Sequence, residues 1–411
     1  MRDFGRFLTL ARHPVAVVVI ACLIRGGVMG LRMEQLARDP DGYRALAENL
    51  LATGVFGNGL VPTAYRPPLY PLLLAGCLKL AANSTVAIAV LHFVLGVATV
   101  VLTMVLARQW RLDSFGPLAG ILVACDPILL NQSTLVMTET LAAFLSVAAL
   151  SLVTAAAGLR SGRIAALAGG VVGLAALCRP TFLLWLVALI VGLAWSADVW
   201  RLRFRLGGAT LLGAAITLLP WAARNQAQFG RPIVATTHGG HTLLLGNNPD
   251  YYQHLASGPW GAVWHADHLD DELRATRARE ELVNDRREYA LAWQTIRDQP
   301  GMFLYACLTR VGRFWGVLPH EVAARDAGRV PRLGVAAWYL LVLGLALVAI
   351  IGREISLVRP PWLWGWLLAA SFTAAHLLYW SDLRMRAPLV PFVSLLAACG
   401  VRRLIRRPKS P

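Results

Sequence analysis

Residues 86–107 read VAIAVLHFVLGVATVVLTMVLA, a run without one charged side chain, and Arg108, Gln109, Trp110 and Arg111 follow it directly. A helix needs about 20 predominantly apolar residues to cross a bilayer, so the stretch reads as a transmembrane span with a basic flank. Working outward from it, comparable runs lie near residues 14–33, 114–131, 137–157, 163–178, 181–196, 206–223, 333–351, 361–380 and 386–401. The chain is expected to be an all-α, polytopic integral membrane protein with about ten transmembrane helices, in a range of 10–13, and further helices in its outer loops.

Composition agrees with that reading. The chain has 411 residues, of which 57% are hydrophobic and 15% charged, too few charges for a soluble protein of this length. Apolar runs recur from Val15 to Val401, so one cleaved leader does not explain them. The formal charge is +16, and the only lysines are Lys79 and Lys409. No nucleic-acid partner is expected, because cytoplasmic loops under the positive-inside rule account for such an excess. With the N-terminus inside, Arg2, Arg6 and Arg12, then Arg108 and Arg111, Arg160 and Arg163, Arg201, Arg203 and Arg205, and finally the stretch 402–409 all fall on the cytoplasmic side. The six cysteines lie in apolar stretches without paired spacing and imply no disulfide framework.

Residues 67–82 and 302–318 are too short or too charged to span and read as in-plane or re-entrant helices. Two polar segments, 34–66 and 224–332, then face away from the cytoplasm. Tyr43, Leu46, Ala47 and Leu50 repeat at helical spacing in the first, ended by Gly54, Gly57, Gly59 and Pro62. In the second, residues 267–299 read as one long charged helix.

Several residues in these loops carry usable chemistry. Asp39 and Asp41 precede the Tyr43 helix, where an aspartate also serves as an ordinary helix cap. Glu139 is the only acid between Asp126 and Asp198. An ionisable group at the edge of a span normally faces a cavity or an ion-pair partner. Arg25, Arg66, Arg179, Arg224, Arg384 and Arg386 fall near the outer face, against the topological rule; guanidinium groups there suit a phosphate, and snorkelling is the plainer reading of any one of them. His238, His241, His254, His265 and His268 lie beside Asp267, Asp270 and Asp271, but their spacing is generic, and a divalent metal is only a secondary expectation.

Together these stretches resemble the GT-C membrane glycosyltransferases of the family 39 type, which includes protein O-mannosyltransferases and the aminoarabinose transferase of lipid A. The resemblance rests on Asp39-x-x-x-Tyr43 with Ala47, Tyr65-Arg66-Pro67-Pro68-Leu69-Tyr70, Thr138-Glu139-Thr140 and Cys178-Arg179-Pro180. It continues through Pro220-Trp221-x-x-Arg224-Asn225, Gly239-Gly240, Gly246-Asn247-Asn248-Pro249 and Arg384-x-Arg386-x-Pro388. It implies three regions: a GT-C-like transmembrane module over 1–223, a large extracytoplasmic region over 224–332, and C-terminal helices with a basic tail over 333–411.

The resemblance also implies an enzyme in the cell (inner) membrane that moves a sugar, hexosyl or pentosyl, from a polyprenyl-phosphate donor to a hydroxyl of a lipid, glycan or protein acceptor. Transfer is expected at the extracytoplasmic face, with inversion. Asp39 and Glu139 are the expected catalytic acids. Arg66, Arg179, Arg25, Arg224, Arg384 and Arg386 are the expected phosphate-binding cations, and Asp41, Tyr43, Tyr65 and Asn247 the expected substrate contacts. A base must take the acceptor's proton and cations must hold the departing phosphate, a division of labour that calls for no cofactor. The main alternative is a transporter or flippase of a lipid-linked or polar solute, which would line a pathway through the bilayer with its carboxylates.

Overall fold

The computed structural model describes residues 13–80, 84–258, 262–276, 278–319 and 329–405. The expected cytoplasmic residues Arg2, Arg6, Arg12, Arg406, Arg407 and Lys409 lie outside them.

Helix α1 (Pro14–Leu31) begins with proline in its first turn, where the missing N–H would have had no partner. A short 3-10 turn (Met33–Ala37) leads to α2 (Tyr43–Thr53), the helix expected from the spacing of Tyr43, Leu46, Ala47 and Leu50. The glycines after it do more than end it. They form a two-stranded antiparallel hairpin, β1 (Gly57–Asn58) with β2 (Val61–Pro62), a departure from an all-helical chain. The semi-apolar stretch after the paired prolines becomes α3 (Leu69–Leu80), and the opening run becomes α4 (Ser84–Gln109).

The expected span at 114–131 is not continuous. It breaks into α5 (Gly116–Ala124) and α6 (Pro127–Gln132). Asp126 caps α6 by accepting from the Leu129 N–H at 3.0 Å, while Pro127 disfavours helix at the residue before it. Backbone exposed by such a break must be satisfied internally. A buried polar knot assembles there: the Tyr339 hydroxyl donates to Asp126 at 3.0 Å, and Arg25 donates to the Val123 carbonyl at 3.0 Å.

The remaining expected spans appear as α7 (Glu139–Gly158), α8 (Gly162–Cys178), α9 (Phe182–Ser196) and α10 (Trp200–Phe229), the last continuing past residue 223. The polar region holds α11 (Gly239–Gly246), α12 (Pro249–Ser257), α13 (Asp267–Ala275), α14 (Glu281–Asp298) and α15 (Pro300–Phe314). The single helix expected over 267–299 is thus two, α13 and α14. The chain closes with α16 (Arg329–Ile351), α17 (Trp362–Leu378), a 3-10 segment (Leu383–Leu389) and α18 (Val390–Ile405). Among the described residues six helices are long and apolar enough to cross a membrane, while α3, α8, α9 and α17 are shorter apolar helices. This is a multi-pass membrane protein.

In lipid, helices associate through close packing rather than apolar burial, which favours small residues where backbones meet. Helices α8 and α10 show this directly. A Cβ placed on Gly169 would stand 1.9 Å from the Thr210 carbonyl oxygen, and one on Gly213 would stand 1.8 Å from that of Ala166. Because successive spans reverse direction, the connections sort to two ends. One end gathers the arginine-bearing turns after α4, α7, α9 and α16; the other gathers the loops around Asp39, Glu139, Arg179 and Arg384.

Candidate active site

The cap expected of Asp39 or Asp41 falls to Asp39, whose Oδ2 accepts from the Ala45 N–H at 2.9 Å in the first turn of α2. Gly42, at φ 73, makes the left-handed turn that brings the chain back over this helix end. The other oxygen, Oδ1, is buried and has no partner among the described residues. One half of the carboxylate is therefore fixed and the other half is available.

Asp41 instead pairs with Arg66 at 3.0 Å. The Arg66 guanidinium also lies 5.4 Å from the ring centres of both Tyr43 and Tyr65, so a cation and two aromatic faces are held by one acid at the Pro67-Pro68 turn. Tyr43 packs edge-on to Tyr70 at 5.3 Å. Burial pushes the Tyr43 phenol well above its usual range, with Arg66 opposing, and Asp41, Glu139 and Arg179 all lie within electrostatic reach of it. Tyr70 feels Asp39 as well as Glu139. The two acid-bearing loops therefore meet around Tyr43 and Tyr70. Beneath them His92 links Ser133 to the Tyr70 hydroxyl, through contacts of 2.9 and 2.8 Å.

Glu139 opens α7, where the positive end of the helix dipole favours an acid. It is 1% exposed. Its Oε1 stands 3.0 Å from Arg179, off the hydrogen-bonding direction, and 3.9 Å from Arg384, while Oε2 is buried without a partner. Arg384 is steered in turn by Asp382 at 3.1 Å. Three guanidinium groups, each with five N–H donors in a fixed fork, thus reach the cluster already oriented by carboxylates.

The structure places the other expected cations elsewhere. Arg25 and Arg386 both lie within electrostatic reach of Asp126 at the broken span; Arg386 donates to the Phe314 and Gly316 carbonyls and covers the Tyr339 ring at 4.4 Å. Arg224 donates to the carbonyls of Thr63 at 2.8 Å and Phe56 at 2.9 Å, and stacks 4.9 Å from the Trp221 ring. It is a clasp between the β-hairpin and α10. Arg224→Ala should cost about 1–3 kcal/mol in stability by stranding those carbonyls, while changing donor affinity of the folded fraction by less than about twofold. A large drop in donor affinity, with thermal stability intact, would put Arg224 back among the phosphate ligands. Asn247 is also structural: buried, it donates to Leu243 and Leu378 and accepts from Tyr252 at 3.0 Å and Arg310 at 3.2 Å.

Glu281 did not stand out in the sequence, yet it ties the two outer regions together. Its carboxylate accepts from the Ala64 N–H at 3.0 Å and from the hydroxyls of Thr63 and Thr237. That anchors the segment leading into Tyr65 and Arg66. His238 stacks edge-on against Tyr65 at 4.4 Å; burial first, then Arg66 and His241, holds its imidazole far below the usual range and so neutral. His241 stacks on His238 at 5.2 Å, while His268 pairs with Asp250 on the surface at 2.8 Å. Among the described residues no group of three or more His, Cys, Asp or Glu side chains could hold a metal ion.

Comparison with known proteins bears on the fold. Residues 65–223 match the model of the family described as dolichyl-phosphate-mannose-protein mannosyltransferase. No curated protein matches the sequence significantly. The oligosaccharyltransferase of Archaeoglobus fulgidus, tethered to an acceptor peptide, superposes with a TM-score of 0.55 at 15% identity, over 95% of this chain and 49% of its own. The same archaeal enzyme, AglB, in complex with an inhibitory peptide and a dolichol-phosphate gives 0.54 at 14% identity, over 95% and 50%. ArnT from Cupriavidus metallidurans, bound to undecaprenyl phosphate, aligns over 98% of this chain and 78% of its own at 15% identity, with a TM-score of 0.44. The chain spans about half the length of the oligosaccharyltransferase it matches. It takes the GT-C fold, and its residues 65–223 match the model described as dolichyl-phosphate-mannose-protein mannosyltransferase.

Proposed function

We propose that this protein transfers a sugar, hexosyl or pentosyl, from a polyprenyl-phosphate carrier to an acceptor hydroxyl, with inversion at the anomeric carbon. The observation that carries the reading is the Asp39 carboxylate: one oxygen fixed on a helix N-terminus, the other buried and unpartnered, within electrostatic reach of Tyr70 as Glu139 is. In the reaction, Asp39 Oδ1 takes the proton from the acceptor hydroxyl as its oxygen forms a bond to the anomeric carbon. The bond from that carbon to the phosphate oxygen breaks, and its electron pair leaves on the polyprenyl phosphate. Arg66, Arg179 and Arg384 offset the charge that gathers there, so the step is proposed to need no metal. The dolichol-phosphate held by the archaeal enzyme of the same fold is a carrier of this class.

The membrane is proposed to be the inner membrane of the cell, with the site on the outer face and the arginine-bearing turns in the cytoplasm. The acceptor is proposed to be a lipid, glycan or protein bearing a free hydroxyl. Gathering of Asp39, Asp41 and Glu139 at one end of the bundle favours a transferase over a flippase, which would distribute its acids along a crossing pathway.

The test is incubation of the purified protein with polyprenyl-phosphate sugars and a panel of acceptors, following released polyprenyl phosphate. Donor-dependent release that rises with one acceptor is expected. Movement of intact donor across vesicles without any release would overturn the reading. Within it, Arg66→Ala should weaken donor binding about 10- to 100-fold, because a charged hydrogen bond is lost and Asp41 is left facing the phosphate. Acceptor KM should change little. An unchanged donor Kd in the folded variant removes Arg66 from the phosphate site.

A further inference from the structure

A cavity of about 640 Å³ opens at the opposite end of the bundle from Asp39, where the turns after α4, α7, α9 and α16 meet the end of α18. Its wall includes Trp110, Trp362 and Trp364, with Arg111, Arg160 and Arg402 around it. Its wall also holds two buried donors without a partner. Trp364 is fully buried and its indole N–H has no partner; Arg402 Nε is likewise buried and unpartnered. The acids in the wall are already engaged. Asp198 pairs with Arg160 at 2.8 Å, and Glu354 is shared between Arg402 and Arg403 at 3.3 Å each. The wall therefore carries Arg111, Arg160 and Arg402 against Asp198 and Glu354, which leaves one positive charge in excess, and Arg403 adds a second cation beside Glu354.

The backbone adds to the case. Arg111 at φ 60 and Arg160 at φ 50 occupy the left-handed region just past their helices, where glycine would sit without strain. Strained backbone of this kind concentrates where a side chain is wanted for function. Beside the wall, Trp195, Trp200 and Phe204 are exposed by 80%, 63% and 73%. Exposed aromatic rings at the ends of spans lie at the level of lipid headgroups. The cavity mouth thus opens at headgroup depth rather than into bulk water.

We propose that this cavity binds the phosphate of an anionic phospholipid headgroup in the leaflet opposite the proposed transfer site. The excess guanidinium charge and the unpartnered N–H donors supply what a phosphodiester accepts. The neighbouring aromatic rings supply the apolar collar for the glycerol and the start of the acyl chains.

The experiment uses the full chain in mixed micelles, with bound lipid counted by native mass spectrometry. Phosphatidylglycerol and phosphatidylcholine of identical acyl chains compete at equal amounts; they share the phosphate, but choline neutralises it in the second. Wild-type protein is expected to retain phosphatidylglycerol at least about tenfold over phosphatidylcholine. Trp364→Phe removes the indole N–H together with part of a buried ring, a packing loss that the thermal unfolding midpoint reads, while Arg111→Gln changes an exposed side chain and keeps the packing; each should cut that retention about fivefold or more, Arg111→Gln with the midpoint unchanged. Equal retention of the two lipids, or undiminished retention in both variants, overturns the proposal. Displacement of phosphatidylglycerol by excess inorganic phosphate also overturns it, because the site would then bind soluble phosphate.

Discussion

Asp39→Asn is expected to lower sugar transfer by about a hundredfold or more, while the protein stays folded and donor affinity stays near normal. An asparagine carbonyl can replace Oδ2 as the acceptor of the Ala45 N–H, so the cap on α2 survives. At the position of the unpartnered Oδ1 the variant presents an amide that cannot take a proton. Asp39→Ala should lose the cap too, at a further cost of about 1 kcal/mol in stability. Asp41→Asn should be milder, since an amide oxygen still accepts from Arg66 and only the charge of the pair is lost. Turnover of the variants, with monodispersity in detergent as the folding control, decides between them. Near-normal turnover in Asp39→Asn with a dead Asp41→Asn would exchange their roles, and normal turnover in both would remove this loop from catalysis.

Much of the architecture was legible because a bilayer reads composition over long windows. Each expected apolar run holds helix, and the helix starting at Tyr43 followed from four side chains at helical spacing. The break at Asp126–Pro127 was written locally as a cap followed by proline, but the apolar residues on both sides masked it. Likewise, the division of 267–299 into α13 and α14 had no breaker residue to announce it.

The site was legible in residue type and less so in partnership. Asp39, Asp41, Tyr43, Arg66, Glu139, Arg179 and Arg384 come together as loops from opposite parts of the chain. Yet nothing in a single sequence distinguishes an arginine that reaches a cavity from one spent on carbonyls. Arg224 and Arg386 look like the others and end on backbone oxygens. Glu281 was invisible for the same reason: its partners Thr63 and Ala64 lie 218 and 217 residues away.

Arg179→Met should destabilise the protein by about 3–5 kcal/mol, a larger effect on folding than any other single change at the site. Glu139 is 1% exposed, and Arg179 at 3.0 Å is its nearer counter-charge, with Arg384 at 3.9 Å. Removing the arginine strands a buried carboxylate; removing both partners does not. The double variant Arg179→Met, Glu139→Leu should therefore recover most of the stability, since a buried pair replaced by apolar groups of similar volume is often near neutral. Transfer should not recover with it. If the pair only held α7 against α8, the restabilised double variant would work; if Arg179 or Glu139 takes part in the reaction, it will be folded and still slow. Thermal unfolding midpoints and turnover of the single and double variants separate the two. Full activity in the stable double variant would reduce Glu139 and Arg179 to scaffolding and leave Arg66 and Arg384 as the phosphate-binding cations.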